Sequence, residues 1–231
     1  MKTFAIIPAG GQGKRCGISL PKQYHKVKGK EIIAHTLDIF QKSDLIDEIV
    51  IAAQTEYFDL IRDIAQKYDF CKIKEIVTGG KERQDSVYNA LSSLSAGKDD
   101  LIIIHDAARP LLSQKILTEA VTTAKSFDNV LVCINARDTL VKTDNEYVAS
   151  YLDRNEVCYA QTPQIFKYQV IKESLETAYK QGFYGTDESM LVTRAGFKVK
   201  IVEGSVLNFK ITTGSDIELF EKLSEVPDLL A

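Results

Sequence analysis

Short, almost continuous apolar runs recur along the chain, and they predict the strands of a buried sheet. The first run covers residues 4–7, and others cover residues 48–53, 73–77, 100–105 and 130–134. Such runs are typical of parallel strands that are covered on both faces. Between several of them, apolar residues recur at helical spacing and predict amphipathic helices. These stripes comprise Ile33, Leu37 and Phe40, then Val87, Ala90, Leu91 and Leu94, then Ile116, Leu117, Ala120, Val121 and Ala124.

The alternation of strand and helix predicts an α/β fold with a doubly wound, mostly parallel sheet. In such folds ligands bind at the carboxyl ends of the strands. No internal repeat or low-complexity tract divides the chain. We therefore expect one domain over residues 1–231.

The segment at about 137–159 breaks this alternation. Two extended segments, at 139–142 and 147–151, flank the turn residues 143–145, and this pattern predicts a hairpin. No obvious helix covers the hairpin, and exposed strand edges favour pairing with another chain. We therefore expect a projecting β-arm that joins two copies into a homodimer.

A glycine-rich turn follows the first strand, with two cations close behind it. Residues 8–15 are Pro-Ala-Gly-Gly-Gln-Gly-Lys-Arg, and residues 21–23 are Pro-Lys-Gln. Glycines allow the backbone to approach a bulky anion with its N–H groups, and Arg15 and Lys22 add positive charge. The turn predicts a phosphate site, most plausibly for a nucleotide. The alternative is a tight turn with a solvated basic rim.

The spacing excludes the two commonest phosphate motifs. A dinucleotide fingerprint requires glycine at the position of Cys16, and a P-loop requires Ser or Thr at the position of Arg15. The missing third glycine argues against a nicotinamide oxidoreductase, which the strand and helix alternation alone would suggest.

Asp106 follows an apolar run and should emerge at the carboxyl end of a central strand. A carboxylate beside a phosphate loop is the usual ligand for Mg²⁺, which also takes phosphate oxygens. A structural ion pair with Arg109 is the alternative. We interpret the preceding His105 as a packed residue and not as a base.

Three further segments are less specific. Residues 78–87 form a second glycine turn before a helix, and its first helical turn bears Arg83 and Ser86. Lys210 stands in a strand-like alternation, where it is either a solvated residue or an inward cation. Thr186 is predicted to cap the helix that follows it.

Composition limits the class of protein. The 231 residues are 45% hydrophobic and 26% charged, with a net charge of −3, which indicates a globular chain without a nucleic-acid surface. No segment is long enough to span a membrane, and no signal peptide precedes the first strand. The four cysteines, Cys16, Cys71, Cys133 and Cys158, lack paired spacing. We expect reduced thiols and a cytoplasmic location.

Taken together, these motifs resemble the 2-C-methyl-D-erythritol 4-phosphate cytidylyltransferase family of the non-mevalonate isoprenoid route. Beyond the segments above, the matching positions are Asp138-Thr139, Gln161-Thr162-Pro163-Gln164, Phe166, Thr186-Asp187, Asn208 and Lys210-Ile211-Thr212. The resemblance spans nearly the whole chain and implies a Rossmann-like fold and a homodimer through the arm.

The resemblance also implies residue roles. A CTP pocket would comprise Ala9, Gly10, Gly11, Gly80, Arg83, Ser86, Asp106 and Ala107. Arg15 and Lys22 would be the catalytic cations, and Asp106 would hold Mg²⁺ or another divalent cation. The sugar-alcohol phosphate would be bound by Arg109, Thr139, Arg154, Thr162 and Lys210, with Thr139 and Arg154 supplied by the partner's arm.

Two alternatives accompany this interpretation. The Ala9-Gly10-Gly11 form also occurs in the related ribitol 5-phosphate cytidylyltransferases, which would give CDP-ribitol. By contrast, Ala108 and the Asp85-Ser86-Val87 run favour the erythritol branch. The second alternative is a nucleotide-binding regulatory protein that has lost turnover, although a protein that only binds nucleotide would not need Lys22.

Overall fold

A computed structural model describes residues 1–11 and 20–226, and a seven-stranded sheet forms its centre. The strands are β1 (Thr3–Pro8), β2 (Lys26–Val27), β3 (Lys30–Glu31), β4 (Glu48–Ala53), β5 (Ile73–Thr78), β6 (Leu101–Ile104), β7 (Val130–Asn135), β8 (Leu140–Asp144), β9 (Tyr147–Leu152), β10 (Cys158–Lys167) and β11 (Lys200–Glu203). The helices are α1 (Ile32–Gln41), α2 (Phe58–Lys67), α3 (Arg83–Ser93), α4 (Gln114–Phe127), α5 (Tyr168–Lys180), α6 (Glu188–Arg194) and α7 (Gly214–Leu223).

The central sheet has the order β11-β7-β10-β6-β1-β4-β5. All neighbouring pairs are parallel except those that β10 forms with β6 and β7, which are antiparallel. This architecture confirms the predicted mostly parallel, Rossmann-like α/β sheet. The antiparallel direction of β10 was not predicted, because an apolar run indicates burial but not strand direction.

The apolar strands are buried because helices cover both faces of the sheet. Along β1, Ala5 and Ile7 pack into a cluster with α1, α2 and α4, whereas Phe4 and Ile6 pack into a second cluster with α3, α5 and α6. Successive side chains of a strand point to opposite faces, so a strand covered twice must be apolar at every position. All three predicted helical stripes lie in these clusters, on α1, α3 and α4.

The hairpin prediction is confirmed. β8 and β9 pair with each other in a separate two-stranded sheet, and every residue of β9 is exposed. The hairpin leaves the central sheet after β7 and returns at β10. Residues 137–157 therefore form an arm that packs on itself and contributes little to the core, and it ends two residues before the predicted limit because Cys158 and Tyr159 pair with β7.

Two local predictions were wrong. The alternation around Lys210 does not form a strand, since residues 204–213 form a loop that leads into α7. The cap of α6 is Asp187 and not Thr186, because the Asp187 side chain accepts a hydrogen bond from the Met190 N–H at 2.9 Å. A carboxylate is an equally good cap and also opposes the helix dipole.

Candidate active site

A cavity of about 780 Å³ opens at the carboxyl ends of β1, β4, β5 and β6. This is the edge where doubly wound sheets bind their ligands. Its lining comes from the segments that follow β1, β4, β5 and β6 and from the loop at 204–213, and it consists of Pro8, Ala9, Gly10, Gly11, Lys22, Gln23, Gln54, Gly80, Lys81, Glu82, Arg83, Ser86, Asp106, Ala107, Ala108, Lys210 and Thr212.

The buried Gln23 side chain fixes the turn after β1. Its Nε2 donates to the carbonyl oxygens of Ala9 at 2.6 Å and Gly11 at 3.0 Å. The Ala9 N–H donates in turn to the Ala52 carbonyl on β4 at 2.7 Å. These bonds hold the glycine turn open beside Lys22, which lies on a short 3₁₀ turn at Lys22–Tyr24. Arg15 lies outside the described residues.

The second glycine turn is held by the first turn of α3. The Gly80 N–H donates to Ser86 Oγ at 3.0 Å, and the Glu82 N–H donates to Asp85 Oδ2 at 2.9 Å in a capping box. A Cβ on Gly80 would lie 2.1 Å from the Asp85 Cβ. Glycine is therefore required at position 80 for the turn to approach the helix so closely.

Asp106 lies at the bottom of the cavity among three cations. Its Oδ1 accepts from Arg83 Nε at 3.3 Å, and its Oδ2 lies 3.1 Å from both Arg109 Nε and Lys210 Nζ. Burial alone would raise the pKa of Asp106, but the charges of Arg83, Lys210 and Arg109 outweigh it and hold the pKa well below its usual range. Asp106 is therefore an anion. The ion pair with Arg109, which was the structural alternative to a metal-binding role, is present, and of the two alternatives for Lys210 the ammonium is turned toward Asp106.

A buried hydrogen-bond chain sets the backbone around Asp106. The Arg109 carbonyl can only accept, so His105 Nε2, 3.1 Å away, carries the proton. Burial lowers the pKa of His105 to about 4 and keeps the ring neutral, so its Nδ1 accepts from the Thr162 hydroxyl at 3.1 Å. That hydroxyl accepts from the Asp106 N–H, also at 3.1 Å. His105 is thus a packed residue, as predicted.

Asn208 joins the loop at 204–213 to the same network. The buried Asn208 amide donates to the Thr162 carbonyl at 2.8 Å and to Gln161 Oε1 at 3.2 Å. Arg109 Nη1 donates to the Asn208 carbonyl at 2.6 Å. These contacts bring Lys210 to Asp106 although the two residues are far apart in the chain.

The predicted site residues fall into four groups. All eight residues assigned to CTP line the cavity, together with Lys22 and Lys210. Arg109 and Thr162 lie behind the lining and contact Asp106. Thr139 and Arg154 are exposed on the arm and do not line the cavity of their own chain. Arg15 cannot be placed among the described residues. These positions do not test the assigned roles, which stay predictions.

Two residues that support the site were given no role from the sequence. Gln23 supports the glycine turn, and Glu188 forms a buried ion pair with Arg83 at 2.5 Å. The sequence presents Glu188 only as an acid in the first turn of a helix, a position that is ordinarily solvated. Its burial depends on the packing of α6, and no local sequence signal indicates it.

Asp106 could hold a divalent cation only in combination with phosphate oxygens, because Arg83, Arg109 and Lys210 already contact both of its carboxylate oxygens. Within residues 1–11 and 20–226, no three His, Cys, Asp or Glu side chains cluster to hold a metal by themselves. Mg²⁺ commonly takes only one or two protein carboxylates and completes its shell with phosphates and water. Asp106 is a carboxylate that lines the cavity, so the donor set suits a cation shared with a nucleotide.

The family of this chain follows from its similarity to known proteins. A family model described as 2-C-methyl-D-erythritol 4-phosphate cytidylyltransferase matches residues 3–224. The chain belongs to this family. A cytidylyltransferase of that name from Geobacter metallireducens is 41% identical over 224 residues, which cover 96% of this chain and 97% of the relative. One from Clostridioides difficile is 42% identical over 219 residues, covering 94% and 92%.

Solved structures agree with this family membership. The 4-diphosphocytidyl-2C-methyl-D-erythritol synthase from Anaerococcus prevotii has a TM-score of 0.86 at 30% identity and covers 97% of this chain and 96% of that one. The 2-C-methyl-D-erythritol 4-phosphate cytidylyltransferase from Francisella tularensis has a TM-score of 0.82 at 30% identity and covers 96% and 99%. The family assigns this chain to the nucleotidyltransferases and gives no support to the ribitol or inactive alternatives.

No helix within residues 1–11 and 20–226 combines the length and the apolar character that crossing a membrane requires.

Proposed function

We propose that the protein joins CTP and 2-C-methyl-D-erythritol 4-phosphate to give 4-diphosphocytidyl-2-C-methyl-D-erythritol and pyrophosphate. The observation that carries this proposal is the group of three cations around Asp106, in a cavity at the carboxyl edge of the sheet. Relatives named for this activity cover almost the whole chain and support the acceptor.

In this reaction an oxygen of the acceptor's phosphate forms a bond to the α-phosphorus of CTP, and the bond to pyrophosphate breaks. A phosphate monoester is an anion at neutral pH, so the attacking oxygen needs no general base. This agrees with the buried, neutral state of His105, which is hydrogen-bonded within the protein. The protein's task is to align two anions and to compensate their charge.

The cations of the cavity suit this task. Lys22 and Lys210 both line the cavity, although they are far apart in the sequence. Arg109 and Lys210 both contact the Asp106 carboxylate. Lys22 and Arg15 are proposed to compensate the charge at the reacting phosphates, and Lys210 and Arg109 to hold the acceptor's phosphate. An ammonium provides a point charge, whereas a guanidinium provides a planar fork that matches phosphate oxygens.

Asp106 is proposed to hold Mg²⁺ together with the phosphates of CTP. The bound cation would supply charge neutralisation to the triphosphate. The residues of this chain prepare the carboxylate for that cation, because Arg83, Arg109 and Lys210 fix the Asp106 carboxylate and keep it ionised.

We further propose that the arm joins two copies of the chain into a homodimer, so that Thr139 and Arg154 reach the partner's cavity. Arm side chains that are apolar or aromatic are left in solvent by the single chain, including Tyr147 at 78% and Tyr151 at 71% exposure. Exposed groups of this kind are typical of an interface. The Arg154 guanidinium donates within its own chain to the Arg137 carbonyl at 3.1 Å, at the base of the arm.

Pyrophosphate release tests the proposed reaction. The purified protein is incubated with CTP, Mg²⁺ and either 2-C-methyl-D-erythritol 4-phosphate or ribitol 5-phosphate. We expect release that depends on the erythritol phosphate and disappears with a chelator. Preference for ribitol 5-phosphate would overturn the acceptor, and CTP binding without release in either reaction would overturn the enzymatic proposal.

A further inference from the structure

Glu188 is a buried carboxylate directly behind the cavity wall. It is the first residue of α6, is 1% exposed and does not line the cavity. Both of its oxygens accept from Arg83 Nη1, at 2.5 and 2.6 Å. Arg83 does line the cavity, so the pair connects the lining to the helix layer behind it.

The Arg83 guanidinium donates to two carboxylates, Glu188 and Asp106. Glu188 binds Nη1 at one edge of the group, and Asp106 accepts from Nε at 3.3 Å. A guanidinium that is bound at two separate donors cannot rotate about its own axis. The orientation that Arg83 presents to the cavity is therefore set in part from outside the cavity, by Glu188 on α6.

Stability alone is a weak reason for this arrangement. Taking two charges out of water costs several kcal/mol per ion, and a buried ion pair often does no better than an apolar pair of the same volume. Burial raises the pKa of Glu188 even though the charge of Arg83 lowers it. The raised pKa shows that the desolvation cost exceeds the gain from the contact. The pair does fix the orientation of the Arg83 guanidinium.

The pair also affects Asp106. Without Glu188, the described carboxylate nearest to the Arg83 guanidinium would be Asp106, which already has Arg109 and Lys210 as partners. Of the ion pairs described for Arg83, only the one with Asp106 would then remain. Glu188 thus holds the Nη1 edge of Arg83 from behind the cavity, while Asp106 holds its Nε from within the lining.

We propose that Glu188 is a positioning residue for CTP, which acts through Arg83 by holding its guanidinium in the cavity wall. This inference rests on the proposed function, because it takes CTP as the ligand that Arg83 meets. It assigns no contact between Glu188 and any substrate.

A double-mutant cycle tests the inference. CTP binding is measured by calorimetry with Mg²⁺ and without acceptor, for the wild type, Glu188→Gln, Arg83→Gln and the double variant. We expect Glu188→Gln to raise the Kd about tenfold, and the double variant to be no weaker than Arg83→Gln alone, since residues that act through one another are not additive. In turnover, the KM for CTP should rise while kcat at saturating CTP changes little.

Glu31→Gln is the matched control. Glu31 is another buried carboxylate, which accepts from the Tyr68 hydroxyl at 2.8 Å and lies outside the cavity lining. We expect this variant to lose stability but to keep the wild-type Kd for CTP. An equal rise in Kd for Glu31→Gln would overturn the inference, because the effect would then reflect general loosening of the fold.

Other outcomes would also overturn it. These are an unchanged Kd in Glu188→Gln, even with a lower melting temperature, or fully additive effects in the double variant. If Glu188→Gln does not fold, Glu188→Asp replaces it, since it keeps the charge and withdraws the carboxylate by one methylene. A wild-type Kd in that variant would equally count against the inference. A wild type that binds CTP but releases no pyrophosphate would instead contradict the proposed reaction.

Discussion

The cavity and the arm place charged and polar side chains in opposite situations. In the cavity, Asp106 is surrounded by three cations, and its backbone N–H donates to the Thr162 hydroxyl, which donates in turn to His105 Nδ1. On the arm, every residue of β9 is exposed, and Arg154 contacts only a backbone carbonyl among the contacts described for its side chain. The cavity is organised by its own chain, whereas the side chains of β9 are exposed to solvent in the single chain.

This difference separates two kinds of functional residue. Preorganised groups in a buried site cost no reorganisation during the reaction, and this is what makes them effective. Exposed side chains on an arm keep rotamer freedom, which they lose when a second surface packs against them. The proposed site would combine both kinds, with the nucleotide held by one protomer and the acceptor clamped by its partner.

The largest expected effect comes from the cavity. Lys22→Ala should lower kcat by roughly 10²- to 10³-fold, because a preorganised donor at developing charge contributes about that much. Pyrophosphate release at saturating CTP and acceptor measures it. Lys125→Ala, which changes an exposed lysine on α4, is the control and should keep wild-type turnover. An unchanged kcat in Lys22→Ala would remove Lys22 from the mechanism.

A substitution on the arm should give the next largest loss of activity, and it should act on the acceptor and not on the cavity of its own chain. Arg154→Ala should lower kcat/KM for the acceptor by roughly 10- to 100-fold, as expected for a charged hydrogen bond. If Arg154 serves the partner's cavity, mixing Lys22→Ala and Arg154→Ala proteins should restore about a quarter of wild-type activity, because half of the dimers gain one intact site. No recovery after subunit exchange would mean that the arm does not serve the partner's site.

Gly80→Ala tests the tight approach in the cavity wall. The new Cβ would lie 2.1 Å from the Asp85 Cβ, so the turn must move away from α3. We expect a loss of about 1–3 kcal/mol in the free energy of unfolding, typical of overpacking, together with weaker CTP binding. Urea unfolding and calorimetry measure both. Gly214→Ala is the control, since a Cβ there has nothing within 4 Å.

The smallest effect concerns the hydrogen-bond chain behind Asp106. Thr162→Val keeps the shape but leaves the Asp106 N–H and His105 Nδ1 without the Thr162 hydroxyl. We expect a loss of about 1–3 kcal/mol in unfolding free energy, with Thr162→Ser close to wild type. If Thr162→Val instead raised the KM for the acceptor at unchanged stability, the substrate role implied by the family resemblance would be the correct one.

Much of the cavity could be predicted from the sequence, because its residues come directly after apolar strands. Asp106 follows β6 and the glycine turns follow β1 and β5, so strand assignment alone brings them to one edge. Glu188 could not be predicted in this way, since its burial depends on how α6 packs behind Arg83. Lys210 was found as a candidate cation, but its loop was mistaken for a strand because alternation can also arise by chance over six residues.

The antiparallel direction of β10 determines where the length of the chain can vary. Because β10 runs back along β7, the chain between them leaves and re-enters the sheet at the same end, with no helix needed to cross over. That connection is a natural insertion point, where length can change without altering the order of the strands. Hairpins of different lengths could be accommodated there, so in the proposed dimer the distance that the arm spans could change without altering the cavity.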